Sequence, residues 1–276
     1  MSSTSAPTLA FIGAGNMAQA IIKGLLKQGY AANKIIATGR TASKMAALAA
    51  DTGIQTTLDN LAACQQADII ILGVKPQMMQ DTVSALASAI DPQRHLIVSV
   101  AAGILAASIN GWIGHHCATV RCMPNTPSLV GMGASGLYAN ELVSSAQKAQ
   151  AEQIMQAVGI SIWLDKEQLI DAVTAVSGSG PAYYFLMMEA MIDAAQGLGL
   201  NAEQAKTLVL QTAAGAAEMA RTSENSPAQL RVAVTSPKGT TEQALNSFAD
   251  AGYRDTVAKA MGAAHGRSQE LAQMFK

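Results

Sequence analysis

One stretch of the chain decides its fold: Thr8-Leu9-Ala10-Phe11-Ile12-Gly13-Ala14-Gly15-Asn16-Met17-Ala18. The apolar first half has strand composition, and the small residues that follow open a segment of helical composition. A strand that turns tightly into a helix in this way is typical of dinucleotide-binding domains. Gly13 permits the turn, Gly15 lets the backbone approach a pyrophosphate, and Ala18 is small enough for close helix–strand packing. The helix N-terminus then offers free N–H groups to the phosphates.

Short apolar strands recur after this stretch, separated by amphipathic segments. They are predicted at residues 9–12, 35–38, 68–74, 96–101, 118–122, 134–138 and 160–164. This alternation predicts a parallel, doubly wound sheet, in which ligands bind beyond the carboxyl ends of the strands. Residues 96–113 are uncharged and long enough to span a bilayer, but Ser99, Gly103 and Asn110 interrupt them. A buried strand followed by a short helix is therefore favoured.

The pattern changes to helices alone beyond residue 164. Helices are predicted at residues 168–176, 181–199 and 202–221, with shorter ones to the end. Asn201 with Gln204 resembles a capping box, and Ser226-Pro227 places a proline at a helix start. We therefore predict an α/β fold, with an N-terminal Rossmann-like doubly wound sheet (residues 1–165, the dinucleotide-binding domain) followed by an all-helical C-terminal domain (residues 166–276).

Two of these helices are apolar nearly all round, at residues 182–188 and in parts of 208–219. Such a helix needs burial on every side, more than a domain of about a hundred residues provides for two of them. The pattern predicts a homo-oligomer, a dimer or a multiple of dimers, that associates through the helical domain. A methionine-rich groove for a lipid or a peptide is the less favoured alternative.

Composition narrows the possible partners and the compartment. The net charge is −1 and aromatic residues make up 4% of the chain, so the basic footprint and stacking platforms of a nucleic-acid-binding protein are missing. The three cysteines lie in apolar surroundings and the four histidines show no zinc spacing, so we expect no metal and a reducing compartment. The polar tail at residues 1–8 does not resemble a secretion signal. Together these features predict a cytoplasmic protein that binds neither membrane nor nucleic acid.

The end of the second strand indicates which cofactor is used. NAD-specific proteins usually carry an acidic residue there, whereas this chain has Thr38-Gly39-Arg40. An arginine can bind a 2′-phosphate through two hydrogen bonds, which favours NADPH, with NADH as the weaker alternative. A solvated surface arginine is the other interpretation of Arg40.

Two segments of the helical half combine hydroxyl groups with glycines at helix starts. They are residues 176–183, Val-Ser-Gly-Ser-Gly-Pro-Ala-Tyr, and Gly239-Thr240-Thr241. Outward-facing N–H groups at such positions suit a small anion, for example a substrate carboxylate. Taken alone, each segment is better explained as an ordinary helix cap.

Together, these motifs resemble those of the pyrroline-5-carboxylate reductase family, which makes L-proline from its cyclic imine with NAD(P)H. The resemblance covers nearly the whole chain. It is carried by residues 11–18, Val74-Lys75-Pro76, Ala101-Ala102-Gly103, residues 123–127 (Met-Pro-Asn-Thr-Pro), residues 177–183 and residues 236–241.

The resemblance implies a set of site residues and a role for the helical domain in substrate binding and oligomerisation. Thr38 and Arg40 would flank the 2′-phosphate, and the Thr241 hydroxyl would lie beside the imine nitrogen, with Thr240 as the second catalytic candidate. The implied cofactor-binding residues are Ile12, Gly13, Ala14, Gly15, Asn16, Met17, Asn60, Gly73, Val74, Lys75, Pro76, Ala101, Ala102, Gly103 and Asn125. The implied substrate-binding residues are Glu167, Ser177, Gly178, Ser179, Gly180, Ser236 and Gly239.

Two residues differ from the family pattern, and there are two alternative functions. Lys238 lies where the family commonly has a glycine, and Ala233 lies where an asparagine is often found. A β-hydroxyacid dehydrogenase would carry a catalytic lysine in its helical domain, but no lysine occurs between Lys166 and Lys206. A non-catalytic NADPH sensor that signals through its oligomer interface remains the rival from another class.

Overall fold

The structure, a computed structural model, describes residues 6–275, so most of the predicted polar tail lies outside the described residues. The sheet strands are β1 Leu9–Ile12, β2 Ile35–Thr38, β3 Gln55–Thr57, β4 Ile69–Leu72, β5 Leu96–Ser99, β6 Ala118–Met123, β7 Gly133–Ala139 and β8 Gly159–Trp163. Seven helices accompany the strands: α1 Asn16–Lys27, α2 Ala42–Thr52, α3 Asn60–Gln66, α4 Met79–Leu86, α5 Ala106–Ile113, α6 Ser145–Gln156 and α7 Leu169–Val173. The remaining helices are α8 Gly180–Gly197, α9 Ala202–Thr222, α10 Pro227–Ala233, α11 Thr240–Asp250 and α12 Tyr253–Met274.

The sheet has the order β3-β2-β1-β4-β5-β6-β7-β8, so the chain reverses direction across the sheet at β1. Strands β1 to β6 are parallel, which places their carboxyl ends at one edge. Ligands of doubly wound sheets bind at such a reversal point. The predicted α/β fold, with a Rossmann-like sheet followed by helices, is confirmed.

The last two strands correct the prediction of a wholly parallel sheet. β7 is antiparallel to β6, and β8 is parallel to β7. The connection from β6 to β7 consists of a short 3-10 turn, Thr126–Val130, and its flanks. This connection is too short for the crossover that a parallel pair needs. The sequence analysis also missed β3, because Gln55–Thr57 is a short polar segment whose three residues are exposed or half-buried.

The sheet is buried on both faces, as expected for parallel strands with helices on either side. Leu9 and Phe11 of β1 face one apolar layer, which includes Ile21 and Leu25 of α1. Ala10 and Ile12 face the opposite layer with residues of α3, α4 and α5. Because β1 and β4 are held on both faces, the loops at their carboxyl ends start from fixed positions.

By packing, the chain divides into two compact units. The first comprises residues up to Ser179 together with those from Ala264 onward, and the second comprises Gly180–Ala263. The last part of α12 therefore belongs to the first unit, where Ser268 donates a hydrogen bond of 2.6 Å to Asp171. This division concerns compactness, and the predicted functional boundary between residues 165 and 166 stays a prediction. Asn201 forms the predicted capping box with Gln204, and Pro227 begins α10 as predicted. Ser226 also forms a capping box with Gln229, which was not predicted.

None of the helices described within residues 6–275 is both long enough and apolar enough to cross a membrane.

Candidate functional site

The glycine turn after β1 leads directly into α1. Gly13 has φ +93°, a conformation that favours glycine, and Gly15 is the N-cap residue of α1. No side chain caps this helix, and the Gln19 N–H donates to the Gly15 carbonyl over 2.9 Å. The N–H groups of the first turn therefore lie open to an anionic ligand, as a dinucleotide pyrophosphate requires.

The predicted cofactor loops of β1, β4 and β5 come together at the sheet edge. The Gly73 N–H donates to the Ile12 carbonyl over 2.9 Å, and the Val100 N–H donates to the Leu72 carbonyl over 3.2 Å. A Cβ atom on Gly73 would lie 2.8 Å from the Gly13 carbonyl oxygen. The loops are thus packed backbone against backbone. This close packing explains why the chain uses glycine at residue 73.

The other predicted cofactor residues lie at the starts of elements around this edge. Asn60 begins α3 directly after its cap residue Asp59, whose side chain accepts from the Ala62 N–H. Pro76 begins a 3-10 turn that follows the exposed Lys75. Gly103 has φ +74°, and a Cβ atom there would lie 3.1 Å from the Cβ of Leu271 in α12. Residues 101–103 therefore form a tight loop held from behind by the C-terminal helix.

Thr38 is the first site residue that the structure places differently from the prediction. Its side chain is fully buried, its hydroxyl accepts a hydrogen bond from the Gly13 N–H (3.1 Å), and it donates to the Phe11 carbonyl (3.3 Å). This placement contradicts the predicted contact between the Thr38 hydroxyl and a 2′-phosphate, because the hydroxyl faces the interior. Arg40, in contrast, is exposed, and no ion pair engages it anywhere in the described part of the chain.

Asn125 also uses its side chain within the protein. Its amide Nδ2 donates to the Ser177 carbonyl (3.0 Å), and its Oδ1 accepts from the Ala134 N–H (2.9 Å). The side chain is buried and links β7 to the segment before α8. The predicted role of Asn125 at the cofactor stays a prediction, with both polar atoms of its side chain already bonded within the protein.

The serine and glycine segment is helical, which differs from the predicted loop with outward N–H groups. Residues Thr174–Gly178 form a π-helical turn that continues α7, and the Ser179 N–H donates to the Thr174 carbonyl over 2.8 Å. The Ser177 hydroxyl donates to the Val173 carbonyl. A Cβ atom on Gly178 would lie 2.5 Å from the methyl carbon of Met123, so a larger residue there would require the Met123 side chain to move. Single π turns occur frequently at functional sites. Gly180, the last of the substrate-binding residues predicted in this segment, begins α8 in the second unit.

Glu167 forms a buried ion pair that the sequence analysis did not predict. Its Oε1 atom accepts from Nη1 of Arg121 at 3.0 Å and from the Ala106 N–H at 2.7 Å. Arg121 is 4% exposed and lies in β6, and Ala106 begins α5. A lone arginine inside the apolar run Ala118–Met123 was the signal that could have revealed this pair, because a buried cation needs a partner.

A cavity of about 440 Å³ adjoins Glu167. Tyr138, His115, His116 and Glu141 also line it. Burial, followed by the charges of Glu167 and Glu141, raises the pKa of Tyr138. The phenol therefore stays protonated and can donate a hydrogen bond at neutral pH.

In the second unit, Gly239-Thr240-Thr241 forms the start of α11. Gly239 is the N-cap residue, its N–H donates to the Ser236 carbonyl over 3.0 Å, and no side chain caps the helix. Thr240 is exposed and Thr241 is half-buried. Within residues 6–275 neither hydroxyl has a hydrogen-bond partner, so the interpretation of these threonines as helix caps is wrong.

Lys238 adopts the conformation of the glycine that it replaces. Its φ is +61°, in the left-handed region that residues with a side chain rarely enter. The Lys238 N–H donates to Oε2 of Glu242 over 2.7 Å, which holds the turn in place. The exposed side chain forms no ion pair with the part of the chain that is described. This backbone conformation suits the glycine that the family resemblance implies at this position.

The described residues contain no group of three or more histidine, cysteine or acidic side chains placed to hold a metal ion. The three cysteines are buried and unpaired, and burial raises the pKa of both Cys64 and Cys122 to about 12. Their thiols are therefore protonated at neutral pH and poor nucleophiles.

Comparison with known proteins finds a matching family model in each half of the chain. The family model for pyrroline-5-carboxylate reductase dimerisation matches residues 167–271, and the model for NADP oxidoreductase, coenzyme F420-dependent, matches residues 8–103. The chain is 54% identical over 98% of its length to the pyrroline-5-carboxylate reductase of Pseudomonas aeruginosa, of which the match covers 99%. It is 45% identical to the Vibrio alginolyticus reductase, with 97% of this chain and 98% of that protein covered.

Solved structures give the same result. The pyrroline-5-carboxylate reductase of Coxiella burnetii superposes with a TM-score of 0.93 at 44% identity, covering 97% of this chain and 99% of that one. The Plasmodium falciparum pyrroline carboxylate reductase, solved with NADP bound, superposes with a TM-score of 0.85 at 30% identity, covering 96% and 98%. With these identities over nearly the full length, the chain belongs to the pyrroline-5-carboxylate reductase family.

Proposed function

We propose that this reductase transfers a hydride from NADPH to the C=N bond of 1-pyrroline-5-carboxylate and so forms L-proline, the last step of proline biosynthesis. The observation that carries the proposal is the 54% identity to the Pseudomonas aeruginosa reductase over 98% of the chain. The open start of α1 and the two unpartnered threonine hydroxyls of α11 supply the matching geometry.

The first unit fits a dinucleotide at the edge formed by β1, β2, β4 and β5. The uncapped N–H groups of Asn16, Met17 and Ala18 would hold the pyrophosphate, with Ala14 and Gly15 forming the turn before them. Loops 73–76 and 101–103 would flank the rest of the dinucleotide, and Asn60 at the start of α3 would also lie beside it. When bound, the nicotinamide supplies the hydride.

NADPH is proposed ahead of NADH because of the charge at the end of β2. Arg40 is exposed, and the neighbouring residues Thr38 and Gly39 carry no acidic group that would repel a phosphate. A guanidinium group can bind a 2′-phosphate through two hydrogen bonds. Thr38 and Arg40 were both predicted beside the 2′-phosphate. Because the Thr38 hydroxyl is buried, only the Arg40 side chain would bind this phosphate and so favour NADPH over NADH.

The second unit supplies the groups proposed to act on the substrate. The N–H groups at the start of α11, with Ser236 and Gly239, would bind the substrate carboxylate. The Thr241 hydroxyl would hydrogen-bond the imine nitrogen. Hydride adds to the carbon of the protonated C=N bond, the π electron pair moves to nitrogen, and the secondary amine of proline results. Positioning of the reactants is the main contribution, worth roughly 7–11 kcal/mol in well-oriented reactions.

We also propose a dimer, or a multiple of dimers, formed through the helical domain, and a cytoplasmic location. α8 and α9 expose large apolar side chains that a free monomer would leave in water, among them Tyr184, Phe185, Leu186, Leu208 and Met219. Three buried thiols without a disulfide suit a reducing compartment.

The test is turnover by the purified chain. NADPH and 1-pyrroline-5-carboxylate should give loss of the reduced-nicotinamide absorbance in step with proline formation, and omission of the imine should stop both. Tight NADPH binding without turnover would overturn the proposal and favour the sensor function instead.

A further inference from the structure

Thr38, the last residue of β2, accepts hydrogen bonds from two consecutive residues of the glycine turn. The Thr38 hydroxyl accepts from the Gly13 N–H at 3.1 Å, and the Thr38 carbonyl accepts from the Ala14 N–H at 2.7 Å. The same hydroxyl donates to the Phe11 carbonyl at 3.3 Å. One residue of β2 is therefore bonded to Phe11 of β1 and to Gly13 and Ala14 of the turn that follows it.

These bonds determine which N–H groups of the turn remain for a ligand. Those of Gly13 and Ala14 point to Thr38, and that of Gly15 donates to the Gly13 carbonyl over 2.9 Å. The open N–H groups are then those of the first turn of α1, beginning at Asn16. A glycine at φ +93° has access to many other conformations, so an anchor at its own N–H restricts the direction in which α1 starts.

We propose that Thr38 is a positioning residue of the cofactor site. Its hydroxyl fixes the Gly13 turn so that the N-terminus of α1 faces the pyrophosphate. The hydroxyl takes no part in the choice between NADPH and NADH. This inference rests on the proposed function for its ligand, and it reassigns Thr38 from 2′-phosphate recognition to a part of the site that both cofactors share.

The energetic argument concerns the Gly13 N–H. Thr38 is fully buried, so a valine of the same shape keeps the packing but leaves this N–H without its acceptor. The Gly13 N–H lies in a partly buried bond. A donor left without its acceptor there is costly, and a turn that rotates to regain a hydrogen bond moves away from the conformation that binds pyrophosphate. A serine keeps the hydroxyl and loses only a methyl group.

The test compares Thr38→Val with Thr38→Ser in the full-length protein. Dissociation constants for NADPH and NADH are measured by fluorescence titration, and KM, kcat and thermal melting are recorded beside them. We expect Thr38→Val to weaken both cofactors by the same factor, about tenfold, from the energy of one lost buried hydrogen bond. At saturating NADPH, kcat should stay within about twofold of wild type, and Thr38→Ser should bind both cofactors nearly normally. If Thr38→Val does not fold, Thr38→Ala carries the same expectation for the two cofactors.

Two results would overturn the inference. Loss of NADPH affinity alone would return Thr38 to the 2′-phosphate, and a lowered melting temperature with unchanged affinity for both cofactors would make its role purely structural. Arg40→Asp provides the comparison, because it should weaken NADPH selectively. A failure of Arg40→Asp to do so would count against the proposed cofactor preference and would leave the Thr38 result intact.

Discussion

Thr38 and Thr241 carry the same functional group, and their surroundings give it opposite uses. The hydroxyl of Thr38 is buried and bonded within the turn that it holds. The hydroxyl of Thr241 is half-buried, lies on the first turn of α11 and has no partner in the described chain. A polar group that has no structural partner at a helix start is available to a ligand, which supports the role proposed for Thr241.

Thr241→Ala should lower kcat by about 10²-fold or less and leave NADPH binding nearly unchanged. The iminium N–H would donate to the Thr241 oxygen, and the hydroxyl could donate to the nitrogen once hydride addition gives it a lone pair. Removal of a hydrogen bond to the charge that changes in the reaction costs about 10²–10³ in rate at oxyanion-type sites. We expect the lower end because the iminium carbon is already electrophilic. Steady-state kinetics of Thr241→Ala and Thr241→Ser, with the serine variant retaining much of the activity, provide the measurement.

Thermal melting is the control for Thr241. Because this hydroxyl caps no helix, the alanine variant should melt close to wild type, without the loss of about 1 kcal/mol that a missing cap produces. A fully active Thr241→Ala protein would move the role to Thr240 or Ser236.

Arg40→Asp should weaken NADPH binding far more than NADH binding. The substitution removes a charge-assisted contact, worth roughly 1.5–3 kcal/mol, and adds repulsion against a 2′-phosphate. It also supplies the acidic residue that suits the ribose hydroxyls of NADH. The measurement is the KM of wild type and of Arg40→Asp for each cofactor. A change below about threefold in the KM for NADPH is less than the lost contact should produce, and it would show that Arg40 lies outside the site.

Elements, rather than single motifs, determine where the buried pair of Arg121 and Glu167 lies. The pair connects β6, the start of α5 and the segment after β8, because the Glu167 carboxylate also accepts from the Ala106 N–H. Ala106 closely follows loop 101–103, so this pair also fixes the helix behind a predicted cofactor loop. Glu167 was expected at the substrate, and the structure shows that its Oε1 atom already serves this connection.

Arg121→Met should lower the free energy of unfolding by about 3 kcal/mol, because the loss of one partner of a buried pair leaves the other uncompensated. The matched control is Lys23→Met, which removes the lysine from the ion pair of Lys23 and Asp51, at 2.7 Å with both side chains more than half exposed. That control should cost less than about 1 kcal/mol. Urea denaturation at one fixed protein concentration compares the two, and equal costs would contradict the structural role of the buried pair.

The same elements show how far the sequence could predict the structure. The glycine turn, the strands β1, β2, β4, β5 and β6, the capping box of α9 and the proline at the start of α10 follow from local patterns, and they are confirmed. The direction of β7 depends on the connection between β6 and β7. The length of this connection could be estimated from the sequence, but its 3-10 turn could not. The π turn at Thr174–Gly178 depends on tertiary packing, for example the contact that Gly178 makes with Met123. The roles of Thr38 and Arg121 depend on partners 25 and 46 residues away, which no local pattern identifies.

At the scale of the whole molecule, the two compact units differ in how completely they bury their apolar residues. The first encloses two apolar layers around its sheet, whereas the second leaves Tyr184 and Phe185 of α8 70% and 63% exposed. A cavity of about 1280 Å³ in the second unit is lined by side chains of α8, α10, α11 and α12. A unit with so little enclosed core needs further apolar contact for stability, and a second copy of the same chain provides it symmetrically.

The purified protein should therefore have the mass of a dimer, or of a multiple of dimers, by light scattering, and Phe185→Glu should shift it toward the single-subunit mass. Each fully buried phenylalanine stabilises by about 1.5–3 kcal/mol, and a twofold interface loses that contribution twice and gains two buried charges. Leu142→Glu is the matched control, since Leu142 is a 45% exposed apolar residue of the first unit and lies outside residues 167–271. The control variant should keep the wild-type mass and activity. If the wild-type enzyme has the single-subunit mass while fully active and stable, association through the helical domain is wrong, and the exposed face of α8 needs a different occupant.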